Sequence, residues 1–118
     1  ALIHIMLPIN MEAGRKNTMK YADTGIRETL KQMEARGARR ANIVAKVAGG
    51  AKMFETAQGS ALGNIGKRNA DSVHMILRAE KIPLLAEDLG GTTARTISFD
   101  PGTGKVTVRS YGKADYVI

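Results

Sequence analysis

Cysteine is absent from the 118 residues. The chain therefore holds no disulfide, no thiolate metal site and no sulfur nucleophile of its own. Two histidines, His4 and His74, cannot make a zinc site alone, and nothing pairs them at ligand spacing. No metal and no cofactor are expected. Long apolar runs are also missing, since none approaches the ~18 residues of a membrane span. The apolar opening ALIHIML is too short, and no basic stretch precedes it as in a signal peptide. The expectation is a cytoplasmic protein with no membrane insertion. Aromatics are scarce, two Phe and three Tyr. They do not interleave with the basic stretches KNTMK, ARGARR and GKRN as a base-stacking platform requires, so nucleic acid is not the expected partner.

What is present describes one globular domain, residues 1–118, with room for a single core. Apolar residues are 43% and charged residues 25%, a balance that supports such a core. Eighteen Lys and Arg against eleven Asp and Glu leave a net charge of +7, which favours an acidic partner. ALIHIML reads as a buried strand stopped by Pro8, followed by a polar loop over 8–17 that contains Gly14. TMKYADTGIRETLKQMEARG has helical period, with Met19, Ala22, Ile26, Leu30 and Met33 on one stripe and Gly37 as its stop. ANIVAKVAGG is a strand entering a glycine turn. The irregular stretch between Gly50 and Gly66 is long for a plain connection. GKRNADSVHMILRAEK is a second helix, capped near Asn64, with Val73, Ile76, Leu77 and Glu80 roughly in line. IPLLAEDLGG is a third strand with a second glycine pair. TTARTISFD and KVTVRS form a hairpin around DPGTGK, and 111–118 add a short strand or a tail. The expected class is α/β, a layered sandwich with a mixed sheet and two main helices.

Three glycine motifs stand where strands or loops end: AGGAKMF, LGNIGKRN and EDLGGTTAR. None is a dinucleotide fingerprint or a phosphate-binding loop. Each serves either tight chain reversal or a backbone wall close to a ligand, and the motifs alone do not separate the two. Gly49, Gly50, Gly90 and Gly91 are the candidates for a pocket mouth. Glu87 and Asp88 are neighbours on a strand, so their side chains face opposite ways and do not form a carboxylate pair. Asp88 is placed to cap the glycine turn that follows it, and His74 reads as a structural or surface residue. His4 in its apolar strand either fills space with a hydrogen bond to a neighbour or serves as an acid-base group.

The ordered blocks IHIMLP (3–8), KYADTGI (20–26), AKVAGGAKMF (45–54), NIGKRN (64–69) and LLAEDLGGTTAR (84–95) resemble the chemotaxis protein CheD family. They cover nearly the whole chain. The resemblance implies hydrolysis of specific glutamine side chains on methyl-accepting chemotaxis receptors to glutamate, with release of ammonia; some members also cut the glutamate methyl esters. It implies a fold like the catalytic domain of cytotoxic necrotizing factors and papain-like Cys and His chemistry. In that family the Cys lies on a glycine-rich turn ahead of the His strand, with a Thr shortly before it, and the His corresponds to His4. The implied partners are the receptors and a CheC-type phosphatase.

The departure from the family is the nucleophile. Only Ala1, Leu2 and Ile3 precede His4, and there is no Cys elsewhere. The expectation is that the domain is N-terminally incomplete and that these residues by themselves are inactive. Ser60, Ser72, Ser98 and Thr24 sit in no activating motif and do not replace a thiol. A truncated edge is expected to leave apolar surface open to self-association. Lys16, Lys20, Arg27, Lys52, Lys67, Arg68 and Arg95 are the expected contributors to attraction for the acidic receptor helices. The competing reading is a non-catalytic module that docks on chemoreceptors or regulates the CheC phosphatase.

Overall fold

The computed structural model describes residues 1–11, 17–53 and 64–118. In chain order it contains α1 (Ala22–Ala35), β1 (Ala45–Gly49), α2 (Ile65–Ala79), β2 (Leu84–Leu89), β3 (Arg95–Phe99), β4 (Val106–Ser110) and β5 (Tyr116–Val117). The core follows from two apolar stripes. Ala22, Ile26 and Leu30 of α1 meet Val73, Ile76 and Leu77 of α2, with Ile43 and Ile82 filling the ends. Ala45 and Val47 of β1 and Leu84 of β2 pack against the same cluster, so the helices cover one face of that strand pair. Each fully buried Ile, Leu or Val here contributes roughly 1.5–3 kcal/mol.

The α/β class with two main helices holds. Parallel and antiparallel pairing both occur, and among the described residues they divide into a parallel pair, β1–β2, and an antiparallel triplet, β3–β4–β5. Side chains tie the sheets together, among them Lys46 and Arg95. Lys46 of β1 donates from Nζ to the carbonyls of Gly104 and Ile118, both at 2.8 Å. Arg95 of β3 reaches back to Asp88 of β2 and to the Gly49 carbonyl of β1.

A register shift in the parallel pair aims the next side chains. Ala45 pairs with Leu84 but Lys46 pairs with Ala86, so Leu85 is an extra residue. Beyond this bulge Val47 pairs with Glu87 and Ala48 with Asp88. Strict alternation from Leu84 would have turned Asp88 toward the helices; the bulge turns Glu87 there instead.

Three expectations are corrected, and a fourth holds in position only. Among the described residues ALIHIML is no strand of a sheet: its pairing there is one parallel bridge between Leu7 and Tyr21. A ladder cannot continue, because Pro8 lacks an N–H and α1 begins one residue after Tyr21. The helix expected over 18–37 starts late. Thr18–Lys20 is a 3₁₀ turn and Tyr21 is extended, and Met19 leaves the stripe for solvent. The strand expected from residue 41 starts at Ala45, after a 3₁₀ turn at Arg40–Asn42. Asn64 does precede α2, but its side chain makes no capping hydrogen bond. Gly14 and most of the irregular stretch before Gly66 lie outside the described residues.

Both helices end in the same way. Gly37 has φ 99°, and Ala38 N–H bonds Met33 O while Gly37 N–H bonds Glu34 O, both at 3.0 Å. At the end of α2 the left-handed residue is Lys81, φ 57°, with Ile82 N–H to Leu77 O at 2.9 Å and Lys81 N–H to Arg78 O at 3.1 Å. These are paired Schellman caps. A lysine in this conformation costs about 1–2 kcal/mol, whereas glycine adopts it freely.

An ion network braces these two ends. Arg27 Nε donates to Glu80 Oε1 at 2.9 Å, and Arg40 bonds Glu34 at 2.8 Å as well as the Glu80 carboxylate. The Glu80 carboxyl is held below the ordinary carboxylate range, chiefly by the Arg27 hydrogen bond; partial burial opposes this and Arg40 reinforces it. The Asp100 carboxyl is lowered by the Thr103 hydroxyl and the Gly102 N–H. A carboxyl lowered on folding takes up its proton more readily in the unfolded chain. The stability it contributes is complete above the unfolded value and is lost as pH falls through the folded one. The urea midpoint is therefore expected to drop as pH falls through and below the ordinary carboxylate range, with a shallower drop in Glu80→Gln. Equal slopes for the two proteins would remove Glu80 from this account.

Candidate active site

The segment carrying His4 is held on two sides. Met6 and Leu7 donate their N–H groups to Lys20 O, at 2.7 and 3.0 Å, and Ala22 N–H bonds Leu7 O at 2.8 Å. From α2, Asn69 Nδ2 donates to Met6 O at 3.0 Å and Ser72 Oγ donates to Pro8 O at 2.8 Å. Ile3, Ile5 and Leu7 are half-buried, while Leu2, His4 and Met6 alternate with them and are exposed. His4 therefore presents its ring on an open apolar strip, and it makes no hydrogen bond among the described residues. A shallow depression of about 460 Å³, lined by Met6, Thr18, Met19 and Lys20 among others, lies along the strip.

Gly25 seats this segment from below. A Cβ built there would lie 2.8 Å from Ile3 Cδ1, so the side chain next to His4 rests in the space a glycine leaves inside α1. Gly in a helix interior costs about 1 kcal/mol relative to Ala, and here close approach explains it.

The glycine turns form a second cluster. Gly90 N–H donates to Gly49 O at 3.0 Å, and Lys52 N–H donates to Gly91 O at 2.8 Å. The first turn of α2 presses against them: a Cβ on Gly66 would lie 2.5 Å from Gly50 O. The three glycine motifs thus meet at the carboxyl ends of the parallel strands, where open α/β sheets leave a crevice. Gly49, Gly50, Gly90 and Gly91 are brought together; no hydrogen bond or ion pair joins His4 to them among the described residues.

Glu87 and Asp88 face opposite ways. Glu87 Oε2 lies 2.6 Å from His74 Nε2 of α2, which gives the half-exposed His74 a surface partner. Asp88 takes both arms of Arg95 at 3.1 Å and the Tyr116 hydroxyl, while Arg95 Nη1 donates to Gly49 O at 3.3 Å. Asp88 is therefore engaged across the sheets rather than capping its own turn. Arg95, expected to attract receptors, is only 10% exposed and belongs to this partly buried pair. Arg27 and Lys67 are also paired, with Glu80 and Asp71. Lys16 and Ser60 lie outside the described residues. Ser72 and Thr24 spend their hydroxyls on the carbonyls of Pro8 and Thr18, and Ser98 is exposed on β3. Among the described residues no group of three or more His, Cys, Asp or Glu could hold a metal. No described helix is long and apolar enough to cross a membrane.

Comparison with known proteins decides the family. The model of the CheD family, CheD chemotactic sensory transduction, matches residues 6–110. The chain belongs to the CheD family. A probable chemoreceptor glutamine deamidase CheD from Syntrophomonas wolfei is 41% identical over 119 residues, covering 100% of this chain and 74% of that protein. One from Clostridium botulinum strain Eklund 17B is 45% identical, covering 94% and 69%. The chemoreceptor glutamine deamidase CheD of Halalkalibacterium halodurans is 45% identical, covering 92% and 68%. His4 falls just ahead of the residues the CheD model matches. Asn69, Ser72, Gly25 and Gly66, which seat the two clusters, lie inside the matched region, and three of the four stand in the blocks KYADTGI and NIGKRN.

Proposed function

We propose that the protein hydrolyses specific glutamine side chains in the cytoplasmic regions of methyl-accepting chemotaxis receptors, yielding glutamate and ammonia. The observation that carries this reading is the 41–45% identity with proteins named as chemoreceptor glutamine deamidases, extending over nearly the whole chain. The exposed ring of His4, without a hydrogen-bond partner among the described residues, agrees with it. In this reading the cysteine belongs to a segment outside these 118 residues, which contain none. The exposed apolar side chains of Leu2 and Met6, beside His4, are suited to being covered by such a segment.

The reaction then runs as acyl transfer. His4 takes the thiol proton, and the thiolate attacks the glutamine side-chain carbonyl. The tetrahedral oxyanion needs fixed donors, and the backbone of the paired glycine turns is the candidate wall. Collapse breaks the C–N bond as His4 returns the proton to the departing ammonia. Water, deprotonated by the same imidazole, opens the thioester to glutamate and restores the thiol. Methyl esters would follow the same course with methanol leaving. The reading includes a fold related to the cytotoxic necrotizing factor catalytic domain and a CheC-type phosphatase as regulator.

The absence of cysteine favours one other reading, a non-catalytic module that docks on receptors or regulates that phosphatase. Ammonia release from purified receptor cytoplasmic fragment separates the two. The chain joined to the family's cysteine-bearing segment should release ammonia, and the 118 residues alone should not. Receptor binding without release from either protein would establish the binding module instead.

A further inference from the structure

The charge of this protein is not spent where the sequence motifs lie. Arg95, Arg27 and Lys67 are neutralised within the molecule. Four of the cations left over stand near the C-terminal ends of the two helices. Arg40, just past α1, bonds both the carboxylate and the carbonyl of Glu80 at the end of α2, so the two ends are held together. Arg36 and Arg39 flank that junction on one side, Arg78 and Lys81 on the other. All four are exposed and carry no ion pair among the described residues. The Arg36 side chain donates from Nη1 to the carbonyl of Gln32 at 3.2 Å.

We infer that Arg36, Arg39, Arg78 and Lys81 form a docking surface for an acidic polypeptide, a helix or strand rich in Glu and Asp. Two observations point this way. The internal network already engages Glu34 and Glu80 through Arg27 and Arg40, and Arg36, Arg39, Arg78 and Lys81 make no ion pair among the described residues. Lys81 occupies the left-handed position that closes α2, the position Gly37 fills at the end of α1. The backbone there prefers glycine, so the lysine side chain is held at a cost to stability that its charge at this surface explains. Among the described residues the surface carries no aromatic: Tyr111 and Tyr116 belong to the β4–β5 hairpin, Phe99 to β3, and Tyr21 is buried ahead of α1. A nucleic acid would find charge but no stacking face, and an acidic protein surface needs only the charge.

The inference is independent of the deamidase reading, because its readout is binding. A fluorescein-labelled helical peptide of repeated Glu and Ala is titrated with the intact protein, and anisotropy is followed at low and moderate salt. Binding should weaken steeply with salt. Arg39→Glu and Lys81→Glu should each weaken it by about threefold or more, and together by about tenfold. The same reversal at Lys105 and Lys113, at the other sheet's turns, should change it by less than about twofold. Lys81→Gly should bind the peptide less tightly while raising the thermal midpoint. Equal loss in the two double reversals would show attraction to overall charge alone and overturn the surface. Tighter binding of a DNA duplex of matched charge, or a lower midpoint in Lys81→Gly, would also overturn it.

Discussion

Replacing His4 with alanine, in a chain that carries the family's cysteine, is expected to cut ammonia release by about 10²–10⁴-fold while leaving the fold intact. The first part follows from the acyl-transfer chemistry. The imidazole is asked to move a proton three times: from the thiol, to the departing ammonia and from the attacking water. The second part follows from the packing. His4 is exposed, makes no hydrogen bond among the described residues and alternates with the side chains that anchor its segment. A surface change of that kind shifts stability within about 0.5 kcal/mol. The result that matters is therefore the separation of the two effects. His74→Ala supplies the comparison, because it removes only a half-exposed pair with Glu87 worth about 0.2–1 kcal/mol and should leave ammonia release near wild type. Loss of less than about tenfold in His4→Ala would remove the histidine from the mechanism. A collapse of the fold would show that the residue is structural after all.

Gly66→Ala is expected to destabilise the protein although the position is helical. Alanine inside a helix gains about 1 kcal/mol over glycine. Against this, the new Cβ would meet the O, C and Cα of Gly50 at 2.5, 2.7 and 3.1 Å. These are backbone atoms, and the Gly50 turn is tied on both sides by the bonds Gly90 to Gly49 and Lys52 to Gly91. It cannot yield as a side-chain tip could. Relief of such overpacking costs about 3 kcal/mol, so the net loss is about 2 kcal/mol, or about 8 °C in the thermal midpoint. Gly25→Ala makes the useful contrast: its nearest atom is the flexible end of Ile3, 2.8 Å away, and the helix gain partly offsets the push. A Gly66→Ala protein as stable as wild type would mean that the two glycine turns are not locked as described.

The sequence by itself determined the α/β class, the two helices and their apolar stripes, the hairpin and the family. These are local matters. Ile26 and Leu30, or Val73 with Ile76 and Leu77, declare their faces through spacing that any one helix obeys, and Ile97 and Phe99 alternate with Thr96 and Ser98 as a single strand does. It also settled that no thiol is present. What only the tertiary structure decided depends on what stands opposite a residue. ALIHIML had a strand's composition, but no long partner runs beside it among the described residues, and the carbonyls of Met6 and of Pro8 just after it went to Asn69 and Ser72 instead. The direction in which Glu87 and Asp88 part was set by one extra residue at Leu85, which alternation in β2 alone could not reveal. Arg95 looked like surface charge until the two sheets closed around its pairing with Asp88 and Tyr116. Four unpaired cations emerged at the helix ends for the same reason: a sequence counts charges, but only folding shows which have already found a partner.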